Sequence, residues 1–167
     1  VISLILSLII IVCIFASCSK SESVTFYYPV SDNAQYLDPQ IADSTAERIV
    51  SANCFEGLVR LGENGDIQPG AAEKTDVSAD GLTYTFTLRS DAKWHVTNTA
   101  QKKLGDKLGE NFAPSVTAND FVFALRRAVD PTTQSPDASL FNSIKNASKI
   151  TDGQMNPQEL GVRAVSD

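Results

Sequence analysis

Few residues of this chain have the type and spacing that catalysis requires. His95 is the only histidine, so a Ser-His-Asp arrangement would depend on it alone, and a zinc site built from several histidines is excluded within the chain. Neither glycine-rich phosphate motif, GxxxxGK(S/T) or GxGxxG, occurs. The acidic residues are scattered, and no pair has a spacing that indicates general acid/base chemistry. We therefore predict that the chain is not an enzyme and that it holds neither a metal nor a cofactor.

Cys18 has surroundings that indicate lipid attachment. It follows an uncharged apolar segment and two small residues, and a polar run comes after it. The apolar segment is shorter than the roughly 20 residues of a membrane span and is typical of a signal peptide without its charged start, so we expect truncation there. The pattern resembles a bacterial lipobox, although Phe15 stands where leucine is usual. It predicts a lipoprotein signal over residues 1–17 and a flexible tether over 18–23, with an uncleaved anchor or a non-lipidated signal as the alternative.

The other two cysteines do not indicate a disulfide. Cys13 would leave with the signal, so Cys54 would remain alone in an oxidising compartment. We predict that Cys54 is a small buried hydrophobe and neither a nucleophile nor a metal ligand. Trp94 follows an amphipathic strand and is expected in the core, with stacking on a ligand as the alternative.

The overall composition excludes some partners. Of the 167 residues, 43% are hydrophobic and 20% are charged, which is typical of a folded globular chain. The formal net charge of −6 would repel a phosphate backbone. We therefore predict that the chain does not bind nucleic acid.

Two helices are predicted from their N-terminal signals. Ser44 to Glu47 has the spacing of a capping box, and apolar residues then recur at near-helical intervals, which predicts a helix over residues 45–57. A second capping box begins at Thr117, and Asp130-Pro131 ends the helix that follows it.

The strand signals are strongest over residues 82–89, where large apolar and polar residues alternate. This pattern predicts a half-buried strand paired in an antiparallel sheet. Residues 95–114 are polar and rich in lysine, which indicates a surface excursion. Further strands are predicted at 24–30, 58–61 and 160–165.

From Leu37 onward the order of short motifs resembles the bacterial solute-binding proteins of family 5, the oligopeptide- and dipeptide-binding group of ABC importers. The motifs cover about 95 residues, and their order and spacing make the resemblance specific although each is weak alone. They are Leu37-Asp38-Pro39, Phe55-Glu56-Gly57-Leu58-Val59, Pro69-Gly70-Ala71-Ala72-Glu73, Asp80-Gly81-Leu82-Thr83-Tyr84-Thr85-Phe86, Leu88-Arg89, Ala92-Lys93-Trp94, Val116-Thr117-Ala118-Asn119-Asp120-Phe121-Val122, Arg126-Arg127 and Asp130-Pro131.

The resemblance implies an α/β chain of mixed α+β type, the N-terminal part of a two-lobed fold like that of type II periplasmic binding proteins. Residues 24–44 would form the first segment of lobe one, and residues 45–158 the small α+β domain that the family inserts there. Residues 159–167 would begin the return to lobe one. The second lobe, with its ligand anchors, would be absent from this chain.

The resemblance also implies where a ligand would lie. The loop after Asp38-Pro39 would contact it through Asp43, Ser44 and Thr45, where a carboxylate either attracts an amino terminus or caps the helix. A second contact is expected at Asp137, although a tyrosine is common in the family at that position. The long stretch after Trp94 is a further departure from the family pattern.

The function implied is that of a monomeric, membrane-tethered receptor. It would capture oligopeptides or dipeptides in the periplasm or at the outer face of the cell envelope, anchored by lipid on Cys18. It would deliver them to the transmembrane subunits of an ABC permease by closing its lobes. The alternatives are the same fold binding nickel, haem or an oligosaccharide, and, from another class, a secreted hydrolase with catalytic residues downstream.

Overall fold

The computed structural model of the chain describes residues 25, 27–30, 32–97, 99, 100, 102, 103, 105 and 115–166. The predicted signal segment and tether, with Cys18, lie outside the described residues. Part of the predicted surface excursion at 95–114 also lies outside the described residues. No helix in the described part of the chain has the length and apolar character needed to cross a membrane.

Helices and short strands follow one another along the described chain, as the mixed α+β prediction requires. The strands form two antiparallel hairpins, β1 with β2 and β3 with β4. The elements are α1 (Thr45–Cys54), β1 (Val59–Leu61), β2 (Ile67–Pro69), β3 (Ala72–Val77), β4 (Tyr84–Leu88), α2 (Ala118–Val129) and α3 (Ala147–Thr151), with 3-10 turns at Pro131–Thr133, Ala138–Phe141 and Pro157–Glu159.

Both predicted capping boxes are present. Ser44 Oγ accepts from the Glu47 backbone N–H at 3.2 Å, and the Glu47 carboxylate accepts from the Ser44 backbone N–H at 3.1 Å. At α2, Asp120 accepts from the Thr117 backbone N–H at 2.7 Å. These local contacts satisfy N–H groups that a helix start otherwise leaves without partners, so they fix where each helix begins.

The predicted end of the first helix was wrong. The helix ends at Cys54 instead of residue 57, because Phe55 has extended dihedral angles (φ −121°, ψ 142°). Cys54 is exposed at this end of the helix, so the prediction that it is buried was also wrong.

The predicted antiparallel pairing of residues 82–89 is confirmed, but their predicted half-burial is not. Val77 pairs with Tyr84 and Thr75 with Phe86, yet every residue of β4 except Leu88 is exposed. Within the described part of the chain, β4 packs mainly against β3, and its aromatic residues Tyr84 and Phe86 remain 59% and 36% exposed. Trp94 is likewise 42% exposed, so its expected place in the core was wrong.

Two of the predicted strands, at 24–30 and 160–165, are not formed over their described residues. Residues 27–30 and 160–165 have no strand conformation, and no described strand pairs with either. Leu160 instead enters the hydrophobic core of α2 and α3, which is built from Val129, Ala147, Ile150 and Leu160.

One acidic side chain organises the loop before α1. Glu47 is only 4% exposed, and its two carboxylate oxygens accept four backbone N–H groups. Oε1 accepts from Gln35 and Tyr36, each at 2.9 Å, and Oε2 accepts from Asp43 at 2.9 Å and Ser44 at 3.1 Å. The two ends of the segment 35–44 are therefore joined through a single carboxylate.

These hydrogen bonds favour the ionised form of the carboxyl group. The N–H of Tyr36, followed by those of Asp43 and Ser44, lowers the pKa of Glu47 from an ordinary 4.5 to about 2, against the opposing effect of burial. Because the pKa is lowered in the folded state, the ionised group stabilises the fold fully above its unfolded pKa, near 4.5. That stabilisation is lost as the pH falls toward 2.

The turn between the hairpins depends on a close approach of two backbones. The Gly70 N–H donates to the Leu58 carbonyl at 3.2 Å, and the Ala71 N–H donates to the Gly57 carbonyl at 2.9 Å. A Cβ added at Gly70 would lie 2.5 Å from the Gly57 oxygen, which is shorter than any tolerable contact.

We predict that Gly70→Ala destabilises the fold by about 1–3 kcal/mol, because the two backbones must separate to admit the methyl group. The measurement is the free energy of unfolding by denaturant. Gly105→Ala is the matched control, since an added Cβ there meets no atom of the described residues within 4 Å. Equal stability of both variants would contradict the close approach.

We also predict that Glu47→Gln lowers stability at neutral pH, because an amide offers one acceptor oxygen where the carboxylate offers two. The difference from the wild type should shrink as the pH falls from about 5 to 2, since the wild-type carboxylate then becomes protonated. Denaturant unfolding over this pH range is the measurement.

Glu159→Gln is the control for this second prediction. Glu159 occupies the same capping-box position in the turn Pro157–Glu159, but it is exposed and, among the described residues, accepts from one backbone N–H, that of Asn156. The variant Glu159→Gln should lower the free energy of unfolding much less than Glu47→Gln does. A pH-independent difference for Glu47→Gln would be evidence against the ionised carboxylate as the stabilising form.

Candidate functional site

The segment before α1 places three of the predicted site residues side by side. Asp43 precedes the helix, Ser44 is its N-cap and Thr45 is its first residue. All three are exposed, and the backbone N–H groups of Asp43 and Ser44 are held by Glu47. The segment is therefore attached to α1 at its backbone, while the side chains of Asp43 and Thr45 are exposed to solvent.

A carboxylate in this segment was expected either to attract an amino terminus or to cap α1, and the structure shows which residues make the cap. Ser44 caps α1 through its hydroxyl, and the reciprocal contact comes from Glu47. The Asp43 side chain is 82% exposed and has one ion pair among the described residues, with Arg48 at 3.9 Å. The capping alternative for Asp43 was therefore wrong.

Asp137, which is distant in the sequence, also contacts α1. It precedes the 3-10 turn Ala138–Phe141 and forms a two-point ion pair with Arg48 on α1. Arg48 Nη1 donates to Asp137 Oδ2 at 2.7 Å, and Nη2 donates to Oδ1 at 3.2 Å. Through Arg48, the structure brings Asp43 and Asp137 to one surface.

Arg48 was not identified from the sequence. Its guanidinium lowers the pKa of Asp137, mainly by hydrogen bonding, and the same contact raises the pKa of Arg48. Nothing in the local sequence signals this pair, because its partners are separated by most of the described chain.

A second ion pair fixes the loop that carries Asp43. Arg127 on α2 contacts Asp38 at two points, Nη2 to Oδ2 at 2.6 Å and Nη1 to Oδ1 at 3.1 Å. The hydrogen bond from Arg127 lowers the pKa of Asp38. Gln40 adds a bond from its Nε2 to the carbonyl of Ala124 at 2.7 Å. The loop is therefore attached to α1 by Glu47 and to α2 by Arg127.

The arrangement is an open surface and not an enclosed pocket. A shallow cavity of ≈ 520 Å³ lies beside α2, lined in part by Phe123, Arg126 and Gln158, but none of the predicted site residues borders it. Within the described ranges, no three His, Cys, Asp or Glu residues are grouped so as to hold a metal ion. The candidate site can offer charge and hydrogen-bond acceptors to a ligand along one wall.

Comparison with known proteins finds a matching family model and similar peptide-binding proteins. The model of the bacterial extracellular solute-binding proteins, family 5 Middle, matches residues 66–167. The chain is 42% identical over 135 residues to a periplasmic oligopeptide-binding protein of Haemophilus influenzae, a match that covers 80% of this chain and 22% of that protein. The chain thus spans about a quarter or less of such a relative.

Solved structures show the same fold. The murein tripeptide binding protein of Escherichia coli superposes with a TM-score of 0.67 at 40% identity, covering 82% of this chain and 24% of that one. The Haemophilus influenzae oligopeptide-binding protein in complex with the peptide RPPGFSPFR gives a TM-score of 0.64 at 40% identity, covering 80% and 23%. The predicted likeness to type II periplasmic binding proteins is confirmed. With the family model matching more than half of its residues, the chain belongs to the family 5 bacterial extracellular solute-binding proteins.

Proposed function

We propose that this chain belongs to a receptor that binds short peptides outside the cytoplasmic membrane, leaves them unchanged and delivers them to the transmembrane subunits of an ABC permease. The observation that carries the proposal is the convergence of Asp43 and Asp137 on one surface around Arg48. The relative solved with a bound nonapeptide and the murein tripeptide binding protein support a peptide as ligand.

In this proposal, Asp43, Ser44, Thr45 and Asp137 form one wall of the ligand site. A carboxylate that is exposed and only weakly paired attracts a cation, and every unblocked peptide carries an ammonium group at its amino terminus. The rigid attachment of the loop lowers the entropic cost of binding, because the wall is already ordered.

The proposal includes two further parts. The first is the division into lobe one (24–44 and 159–167) and an inserted domain (45–158), with a second lobe outside this chain that closes over the ligand. The second is a lipid on Cys18, which anchors a monomeric receptor in the periplasm or at the outer face of the envelope.

The proposal predicts that peptide binding depends on Asp43. In the complete protein that carries this chain, Asp43→Asn should weaken binding of a tripeptide with a free amino terminus by about 2- to 10-fold, the range of an exposed charge contact. The same tripeptide with an acetylated amino terminus should bind both proteins equally. Isothermal titration calorimetry measures both affinities.

Asp152→Asn is the matched control, because Asp152 is an exposed aspartate at the C-cap of α3 and is not one of the predicted site residues. Mass spectrometry of the ligand that co-purifies completes the test. Retention of nickel, haem or an oligosaccharide without any peptide would overturn the peptide ligand. Recovery of cleaved peptides would overturn the non-enzymatic role.

The lipid anchor has its own prediction. Cys18→Ala should abolish incorporation of a labelled fatty acid and release the protein from the membrane fraction, since the thiol is the proposed attachment point. Cys54→Ala should leave both unchanged. If Cys18→Ala retains the label, the proposed lipidation is wrong.

A further inference from the structure

The turn that joins β1 to β2 contains Asn64 followed by Gly65, and both residues are exposed. Asn64 is the only asparagine in the sequence that precedes a glycine. Glycine has no Cβ, so its backbone nitrogen can approach the side chain of the preceding residue with little steric hindrance. An asparagine in this position is therefore open to attack on its side-chain amide by the next backbone nitrogen.

The side-chain amide of Asn64 is also free to react. It forms no hydrogen bond with any residue that the structure describes. Other asparagines are engaged: Asn53 Nδ2 donates to the Ile49 carbonyl at 2.8 Å within α1, and Asn146 Nδ2 donates to the Glu159 carbonyl at 2.7 Å. These contacts restrain the two amides, so a reaction at either must first break a hydrogen bond.

The backbone nitrogen of Gly65 is held by the turn itself. Its N–H donates to the Gly62 carbonyl at 3.0 Å, and the Gly62 N–H donates to the Asp66 carbonyl at 2.8 Å. The nitrogen must leave the first of these bonds before it can react. Residues 63–66 are exposed, and each flanking strand is three residues long, so local opening of this end of the hairpin has a low free-energy cost.

The Asp-Gly pair at residues 80 and 81 lies in the turn of the other hairpin and lacks these properties. Asp80 Oδ1 accepts from the Ser78 hydroxyl and from the Leu82 N–H. The bond from Ser78, followed by that from Leu82, lowers the pKa of Asp80. An ionised carboxylate is a poor electrophile and has no amine to release. Asn64 differs on both counts, because its amide is neutral and unrestrained.

We propose that Asn64 is a deamidation site at which the backbone nitrogen of Gly65 is the nucleophile. The nitrogen attacks Cγ of Asn64, a new C–N bond closes a cyclic imide, and the bond from Cγ to Nδ2 breaks. The proton of the attacking nitrogen leaves with Nδ2 as ammonia. Water then opens the imide at either carbonyl, which gives aspartate or isoaspartate. Water is the only co-reactant.

Either product changes the turn. Glu63 and Asp66 already place two carboxylates near residue 64, and a third adds like-charge repulsion. Isoaspartate also lengthens the main chain by one carbon, inside the segment that the hydrogen bond between Gly62 and Asp66 closes. Both effects weaken the pairing of β1 with β2. The reaction does not depend on what the complete protein binds.

The test incubates the complete protein that carries this chain at neutral and at mildly alkaline pH in heavy-oxygen water, and follows its tryptic peptides by mass spectrometry. Peptide 61–74 contains Asn64, and peptide 49–60 contains the restrained Asn53 as an internal control. Peptide 61–74 should convert about tenfold faster or more, because α1 must open before Asn53 can react. It should gain aspartate and isoaspartate forms, each with one heavy oxygen from solvent. Conversion should accelerate with pH, since the attacking nitrogen must lose its proton.

Asn64→Gln is the matched variant, because it keeps the amide but would have to close a larger and less favourable ring. Its peptide 61–74 should stay unconverted, and fragmentation distinguishes residue 64 from Gln68 in the same peptide. A sample that is digested without incubation corrects for conversion during digestion. Equal rates in the two wild-type peptides, no conversion at residue 64, or aspartate without isoaspartate would each overturn the proposal.

Discussion

The buried carboxylate of Glu47 is the interaction on which the candidate site depends. A loop that runs from residue 35 to residue 44 has backbone N–H groups at both ends that need acceptors, because an unsatisfied buried N–H is costly. Glu47 satisfies four of them with two oxygens. A hydrogen bond to an ionised acceptor is stronger than one between neutral groups, so the charge itself strengthens the turn.

This constraint has consequences across the fold. Glu47 lies on α1, so the loop moves with that helix, and the Asp38–Arg127 pair attaches the same loop to α2. Arg48, the next residue on α1, then reaches Asp137 beyond α2. Three side-chain contacts thus connect the loop, α1, α2 and the turn that follows Asp137. Their combined effect is a fixed wall that exposes Asp43.

Local features of this structure were predictable from the sequence, and non-local ones were not. The capping boxes at Ser44 and Thr117 depend on residues three positions apart, so their spacing alone indicates them. The alternation in 82–89 predicted the strand and its antiparallel pairing, but burial depends on what packs over β4, which alternation does not encode. The exposure of Cys54 and Trp94 is unpredictable for the same reason.

In the candidate site too, local features were predictable from the sequence and non-local contacts were not. Family resemblance indicated Asp43, Ser44, Thr45 and Asp137, but the ligand-binding role of these residues stays a prediction. Glu47 was recognised only as a cap, because the N–H groups of Gln35 and Tyr36 approach it from a turn with no sequence signature. Arg48 gave no signal at all, since a lone arginine on a helix is ordinary and its partner lies 89 residues further along the chain.

Hydrogen–deuterium exchange by mass spectrometry tests the central claim most directly, by following peptides that cover residues 35–44 in the wild-type protein and in Glu47→Gln at neutral pH. If one ionised carboxylate orders the loop, exchange in 35–44 should be slow in the wild type. In the variant it should accelerate at least tenfold, equivalent to about 1.4 kcal/mol of local opening, while peptides from the core around Ile150 remain unchanged. Equal exchange in 35–44 for both proteins would contradict the account.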